Sequence, residues 1–178
     1  MERITLKDKT FTPYIRGAEL QSRIAELGAQ ITRDYAGKTP LFLSVLNGSF
    51  MFTADLLKAV DLPCEVSFVK VASYHGTGSS GKVTELIGLS EHIEGRDVIV
   101  VEDIVDTGLT IQKVAELLSE RHPASLRIAT LLFKPEAYKG TMPVDYVVRE
   151  IPNAFIVGYG LDYDGLGRNL RDIYQIVE

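Results

Sequence analysis

Hydrophobic positions fall into two rhythms along the 178 residues. Leu20, Ile24, Leu27 and Ile31 recur at helical spacing with polar residues between them, which predicts a helix over 17–35. Gly37-Lys38-Thr39-Pro40 ends it. Leu41 to Leu46 is a short apolar strand. Asn47-Gly48-Ser49 is a tight turn, and Phe50 to Val60 is a second helix with Phe52, Leu56 and Leu57 inward. Leu62-Pro63 breaks the chain again. Cys64 to Tyr74 reads as a long strand and Thr84 to Leu89 as its return, with a Gly- and Ser-rich stretch from His75 to Lys82 between them. Val98 to Val101 is a continuous β-branched run, the mark of a strand buried on both faces. A helix over 110–121 follows, with Ile111, Val114, Ala115 and Leu118 on one face. Four more strands are predicted: Leu126 to Phe133, Tyr146 to Ile151, Ala154 to Leu161 and Ile173 to Val177. Strands alternating with helices predict an α/β fold, a mostly parallel sheet covered on both faces. The late hairpin-like strands would add an antiparallel piece or small hood. With no repeat and no linker, residues 1–178 read as a single domain.

The stretch Val98-Ile-Val-Val-Glu102-Asp103-Ile-Val-Asp106-Thr107-Gly108-Leu109-Thr110 organises the rest. Two adjacent carboxylates end the buried strand, and a small, hydroxyl-bearing turn opens the helix. In an open α/β sheet this places the acids at the carboxyl end of a strand, where ligands bind. Backbone N–H groups from Asp106 to Thr110 suit a phosphate, and Gly108 permits close approach. Thr107 and Thr110 add hydroxyl donors. Carboxylates beside a phosphate conflict unless the ligand also carries a diol and a divalent cation. Carboxylates accept from ribose hydroxyls, and Mg²⁺ takes oxygen ligands while keeping several waters. The stretch therefore asks for a phosphorylated sugar with Mg²⁺.

The net charge of -5 and the absence of a basic block argue against a general nucleic-acid surface. The one cysteine, Cys64, excludes an intrachain disulfide and fits a reduced, cytoplasmic setting. The start of the chain lacks a signal-peptide pattern, and no apolar run is long enough to span a membrane. Cys64, His75, His92 and His122 form no pair at metal-ligand spacing.

Glu102 to Thr110 resembles the phosphoribosyl-pyrophosphate signature of the type I phosphoribosyltransferases. Leu46-Asn47-Gly48-Ser49, by itself an ordinary turn, then resembles the family's pyrophosphate loop, which in its purine-specific members carries a cis peptide, here Leu46–Asn47. Ser73-Tyr74 and the stretch after them resemble the catalytic lid, although composition alone also suits a plain hairpin loop. Lys134, in Leu-Phe-Lys-Pro, would on general grounds be a solvated lysine. By the resemblance it donates to the exocyclic oxygen at position 6 of a purine. Phe155-Ile156-Val-Gly-Tyr-Gly-Leu-Asp162-Tyr is similar to the base-binding strand. By that match Phe155, otherwise a core residue, stacks on the purine, Ile156 presents its backbone to the base edge, and Asp162 sits near the metal. Arg168, otherwise a loop arginine, resembles the clamp on pyrophosphate. One departure stands out: Gly165 and Gly167 make the loop before Arg168 more mobile than the family pattern.

Taken together, Leu41 to Asp172 resembles the hypoxanthine-guanine phosphoribosyltransferases of short bacterial type. The resemblance implies a purine-salvage transferase that moves 5-phosphoribosyl from phosphoribosyl pyrophosphate to hypoxanthine or guanine. Glu102, Asp103 and Asp162 would hold Mg²⁺, the acid pair would also hold the ribose hydroxyls, and Asp106 would be the general base. Residues 107–110 would hold the 5-phosphate, and Leu46, Asn47, Gly48 and Arg168 the pyrophosphate. The resemblance also implies a homodimer or homotetramer. A regulator that keeps the pocket but binds RNA or DNA is the competing reading from another class. The acidic charge and the complete set of acids speak against it.

Overall fold

Strands with apolar side chains on both faces need cover on both faces, and the computed structural model supplies it with helices from either side. It describes residues 2–73 and 83–177; Tyr74 and the rest of the expected lid lie outside the described residues. The chain runs through β1 (Ile4–Leu6), β2 (Lys9–Ile15), α1 (Gly17–Asp34), β3 (Leu41–Leu46), α2 (Phe50–Ala59), β4 (Glu65–Ser73), β5 (Val83–Ile87) and β6 (Asp97–Val105). It continues through α3 (Leu109–Ser119), β7 (Ser125–Phe133), β8 (Tyr146–Glu150), β9 (Ile156–Val157) and β10 (Ile173–Ile176).

The main sheet has the order β5-β4-β3-β6-β7-β8. All its pairings are parallel except β4 with β5 at the edge. Phe42, Ile99, Val101 and Leu131 face α1 and α2, while Leu41, Leu43, Val98, Val100 and Ile128 face α3. This alternation makes both helical layers obligatory. The order of strands reverses direction between β3 and β6, so this is the sheet's topological switch point, where a ligand crevice is expected. The β3–β6 ladder ends at Ser44–Val101, while β6 goes on pairing with β7 as far as Val105–Phe133. A gap thus opens beside the last turn of β6.

Three expectations need correction. The acids do not end the strand: β6 continues through Glu102 and Asp103 to Val105, because β7 still pairs with it there. Tyr146 to Ile151 does not belong to the hood. β8 joins the main sheet parallel to β7, since Tyr146 and Val148 bury against the core under α1. The strand expected from Ala154 to Leu161 shrinks to Ile156–Val157. Gly158, Tyr159 and Gly160 follow with φ of 102°, 52° and 103°, which no strand sustains. The hood itself is a four-stranded antiparallel sheet, β1-β2-β10-β9. Half of it comes from an N-terminal hairpin that the hydrophobic pattern had not revealed, with Pro13 inside β2 disguising the strand.

α1 carries Leu20, Ile24, Leu27 and Ile31 inward, as the spacing predicted. Gly28 sets how closely it meets α2: a Cβ there would lie 2.5 Å from the Ala59 methyl and 2.6 Å from the Ala59 carbonyl oxygen. Gly28→Val is therefore expected to force the helices apart and to cost about 1–3 kcal/mol, the usual range for overpacking. Urea denaturation at constant m-value measures it, and an unchanged midpoint would show that α2 moves freely.

Candidate active site

Three loops meet at the carboxyl ends of β3 and β6. The first is the turn after β3. Its Leu46–Asn47 peptide is cis, as the resemblance implied. Beneath it the fully buried Ser44 hydroxyl bonds to Ser49 Oγ at 2.7 Å and to Thr53 Oγ1 at 2.8 Å, and Ser49 donates to the Val45 carbonyl. This hydroxyl cluster pins the turn to the strand below it. Sequence reasoning missed Ser44 and Thr53; the signal was a serine inside an otherwise apolar strand. Above, Gly48 abuts the Asp103 carboxylate so tightly that a Cβ would collide with Oδ2. No side chain fits between the turn and the acids.

The second loop is 102–110. Glu102 is 8% exposed, and its Oε2 has no hydrogen-bond partner among the described residues. Burial, reinforced by the Asp103 charge, pushes the Glu102 carboxyl well above the usual carboxylate range. Asp103 is raised too. Burial is the main cause and Asp162 adds to it, against the opposing pull of the Ile104 amide and Arg168. Asp103 Oδ1 accepts from the Ile104 amide at 2.8 Å. Gly108 takes φ 85° at the N-cap of α3, with the Tyr138 ring packed where a Cβ would stand. Tyr138 is held in turn by Phe133, edge-on at 5.3 Å, and by the Met142 carbonyl at 2.6 Å. Among the described residues no backbone carbonyl accepts from the amides of Thr107 to Thr110. Those amides, with the start of α3, are donors of the kind that suit an anion. Residues 102–108, Thr110 and Ile111 line one cavity.

The third loop spans 153–168. Lys134 is buried at the end of β7, and its Nζ donates to Asp106 Oδ2 at 2.7 Å and to Asn153 Oδ1 at 3.4 Å. The partner carboxylate is 44% exposed and opens into a second cavity shared with Phe155, Ile156, Leu161 and Asp162. Asp103, Ile104 and Asp106 line both cavities, so the two are halves of one cleft. Phe155 exposes 47% of its surface there, unlike the core residue that general grounds suggested. Arg168 lies over the other end: Nη2 pairs with Asp162 Oδ1 at 2.7 Å and Nη1 donates to the Gly160 carbonyl at 2.7 Å. The glycine-rich loop before it is closed, with Tyr163 and Leu166 exchanging backbone bonds and the Gly165 amide donating to Asp162 Oδ2. Gly160 packs directly on the Gly48 carbonyl, which joins the third loop to the first. Tyr159 anchors this contact from behind: its hydroxyl donates to Asp55 Oδ2 and accepts from Gln21, each at 2.6 Å. Tyr159, Asp55 and Gln21 gave no signal in the sequence beyond ordinary helix and strand positions.

The sequence-assigned residues of the acid loop, the pyrophosphate turn and the base strand, with Lys134 and Arg168, thus converge on one cleft. Ser73 ends β4, paired with Val83, and Tyr74 lies outside the described residues. Among the described residues no three acidic, histidine or cysteine groups already cluster as a metal cage. Mg²⁺ needs no cage, because it is commonly held by one or two carboxylates plus water and phosphate oxygens. The orphaned Glu102 oxygen beside Asp103 is chemically suited to that, or to a ribose diol.

Residues 16–164 match the phosphoribosyl transferase domain family model. The chain belongs to this phosphoribosyltransferase family. It is 49% identical over 153 residues to a hypoxanthine-guanine phosphoribosyltransferase of Streptococcus mutans, covering 85% of each chain. A crystal structure of a hypoxanthine-guanine phosphoribosyltransferase from Bacillus anthracis superposes with a TM-score of 0.86 at 39% identity, over 93% of this chain and 98% of that one. A ternary substrate complex of the Trypanosoma cruzi hypoxanthine phosphoribosyltransferase matches with a TM-score of 0.86 at 40% identity, over 97% of each chain. The type I phosphoribosyltransferase fold expected from the motifs, a parallel sheet with hood, is the fold observed.

In this phosphoribosyltransferase the buried Glu102 carboxyl, once ionised, weighs against folding. A carboxyl whose folded pKa is raised stabilises the fold below its unfolded value, near 4.5 for Glu102, and that stability is lost as pH rises through the folded value. Glu102→Gln is expected to raise the urea midpoint of the ligand-free protein at pH 7–8 and to leave it unchanged near pH 4. A midpoint that falls at pH 8 would show that the carboxylate is satisfied in solution.

Proposed function

We propose that this single domain transfers the 5-phosphoribosyl group from phosphoribosyl pyrophosphate to hypoxanthine or guanine, giving IMP or GMP and pyrophosphate. The observation that carries this reading is the Asp106–Lys134 pair, an acceptor and a donor 2.7 Å apart on the wall beside Phe155. A 6-oxopurine presents an imidazole N–H and the exocyclic oxygen side by side on one edge. Asp106 Oδ2 accepts from that N–H while Lys134 Nζ donates to the oxygen. A 6-amino group would turn a donor toward the ammonium, so adenine is disfavoured. Phe155 offers its face to the base, and Ile156 and Leu161 line the pocket beside it.

The 5-phosphate sits on the Thr107–Thr110 amides, which fixes the ribose over Glu102 and Asp103. Those carboxylates hold its hydroxyls, and with Asp162 they are the residues that would hold Mg²⁺. Bound there with pyrophosphate, Mg²⁺ supplies charge neutralisation for the leaving group. Arg168 helps through guanidinium protons not engaged by Asp162 and Gly160, and the Asn47–Ser49 amides complete the seat. As the anomeric carbon leaves pyrophosphate and bonds to the purine, the base gains positive charge. Asp106 removes it by taking the imidazole proton. A reducing, cytoplasmic setting and a homodimer or homotetramer belong to the same reading, the former supported by the single free cysteine, Cys64.

The test is a spectrophotometric assay with Mg²⁺ and phosphoribosyl pyrophosphate, offering hypoxanthine, guanine, xanthine, adenine and uracil separately. Product from hypoxanthine or guanine but not from adenine or uracil is expected; product from none refutes the reading. Asp106→Asn should retain phosphoribosyl pyrophosphate binding and lose at least ~10²-fold in turnover, the lower end for acid–base catalysis. Lys134→Ala should weaken both 6-oxopurines, and normal affinity for them would remove the lysine from base recognition.

A further inference from the structure

Among the described residues no hydrogen bond or ion pair joins the N-terminal hairpin to the charged groups of the cleft, yet its turn grips the loop that borders the base pocket. Lys7 pairs with Asp164, and Asp8 Oδ1 accepts from the Tyr163 hydroxyl at 2.7 Å. Two consecutive turn residues thus hold two consecutive loop residues. Lys7 and Asp164 both take left-handed backbone, φ 51° each, which lets the two tight turns meet. Deeper in the hairpin, Phe11 is fully buried. Its ring lies 6.0 Å from Tyr163 and 6.3 Å from Phe155. Tyr163 closes the triangle, standing edge-on to Phe155 at 5.9 Å and an interplanar angle of 90°.

Phe155 is therefore a half-exposed ring with one side facing the pocket and its flank held by two other aromatic rings. Without those neighbours it would turn about χ1 and χ2, and a base stacking on it would have to immobilise it first. Edge-to-face contact fixes the ring plane in advance. The Tyr163 ring packs on Phe11 as well, and its hydroxyl end is held by the bond to Asp8. A carboxylate has no proton to give, so the tyrosine is the donor.

We propose that Tyr163, latched by Asp8 of the β1–β2 turn, is a positioning residue for purine affinity. It orients the Phe155 platform and leaves the phosphoribosyl half of the cleft alone. This rests on the reading of Phe155 as the face on which the base stacks. The relevant ligand is thus the planar 6-oxopurine, not the sugar phosphate.

Purine and phosphoribosyl pyrophosphate affinities, by calorimetry, and both KM values decide the matter, with the unmodified chain measured first. Tyr163→Leu is expected to raise the Kd and KM for hypoxanthine and guanine by about 3- to 10-fold, as loss of an aromatic pair and its pre-ordering would. Its kcat and phosphoribosyl pyrophosphate affinity should stay within about twofold, because no contact to the sugar-phosphate seat is lost. Asp8→Ala and Tyr163→Phe, which keep the apolar contacts and the fold, should each shift purine affinity in the same sense by a smaller factor. The double variant should be no worse than either single one, since both remove the same hydrogen bond. Purine affinity unchanged in all three single variants, or a parallel fall in both affinities, would make the hairpin a plain structural support and overturn the proposal. An unmodified chain that binds no purine would instead overturn the proposed function.

Discussion

Glu102, held out of water at the seam between β3 and β6, and the half-buried Asp103 beside it are the constraint to which the rest of the cleft answers. Glu102 is buried in the sheet with one oxygen unpartnered among the described residues, and Asp103 stands against Gly48 with no room between. Burying a charge is costly unless it is paired. The described chain supplies little compensation: one amide, the nearby Arg168, and raised carboxyl pKa values. A diol and a cation brought by the ligand would satisfy what the fold leaves open. Strain of this kind at a site, supported by a rigid sheet, is a usual form of pre-organisation.

Rigidity comes from below and behind. The Ser44–Ser49–Thr53 hydroxyls hold the first turn, Tyr138 supports Gly108, and the Tyr159–Asp55–Gln21 tie draws the hood loop down until Gly160 meets Gly48. None of these side chains is a site for the proposed reaction itself. They set the distances at which Asp106, Lys134 and Arg168 stand. In the same way the N-terminal hairpin holds Tyr163 against Phe155.

The site was legible where chemistry depends on consecutive residues. Glu102-Asp103 and Asp106-Thr-Gly-Leu-Thr occupy one strand and turn, so their spacing along the chain is their spacing in the cleft. Lys134 and Phe155 were legible only by resemblance, since a lone lysine or phenylalanine says nothing of its surroundings. The lysine's bond to Asp106 joins residues 28 positions apart. Ser44 showed only as a serine in an apolar strand, and Asp8, Asn153 and the packing of Tyr163 were not legible at all. Each is an ordinary residue type whose role arises from a neighbour distant in sequence or placed by a turn.

The hydrophobic pattern by itself determined that this chain is an α/β protein with buried parallel strands, because apolar period and strand length are local properties of the chain. The consecutive residues Glu102-Asp103 and Asp106 to Thr110 also determined that an acid pair and a small, hydroxyl-bearing turn join that buried strand to the helix after it. The tertiary structure alone decided that β8 extends the main sheet, that β6 runs on past the acids, and that an N-terminal hairpin completes the hood. Those outcomes depend on which strand edge is free to pair and which face the core already covers. Such facts exist only once non-local segments have been brought together.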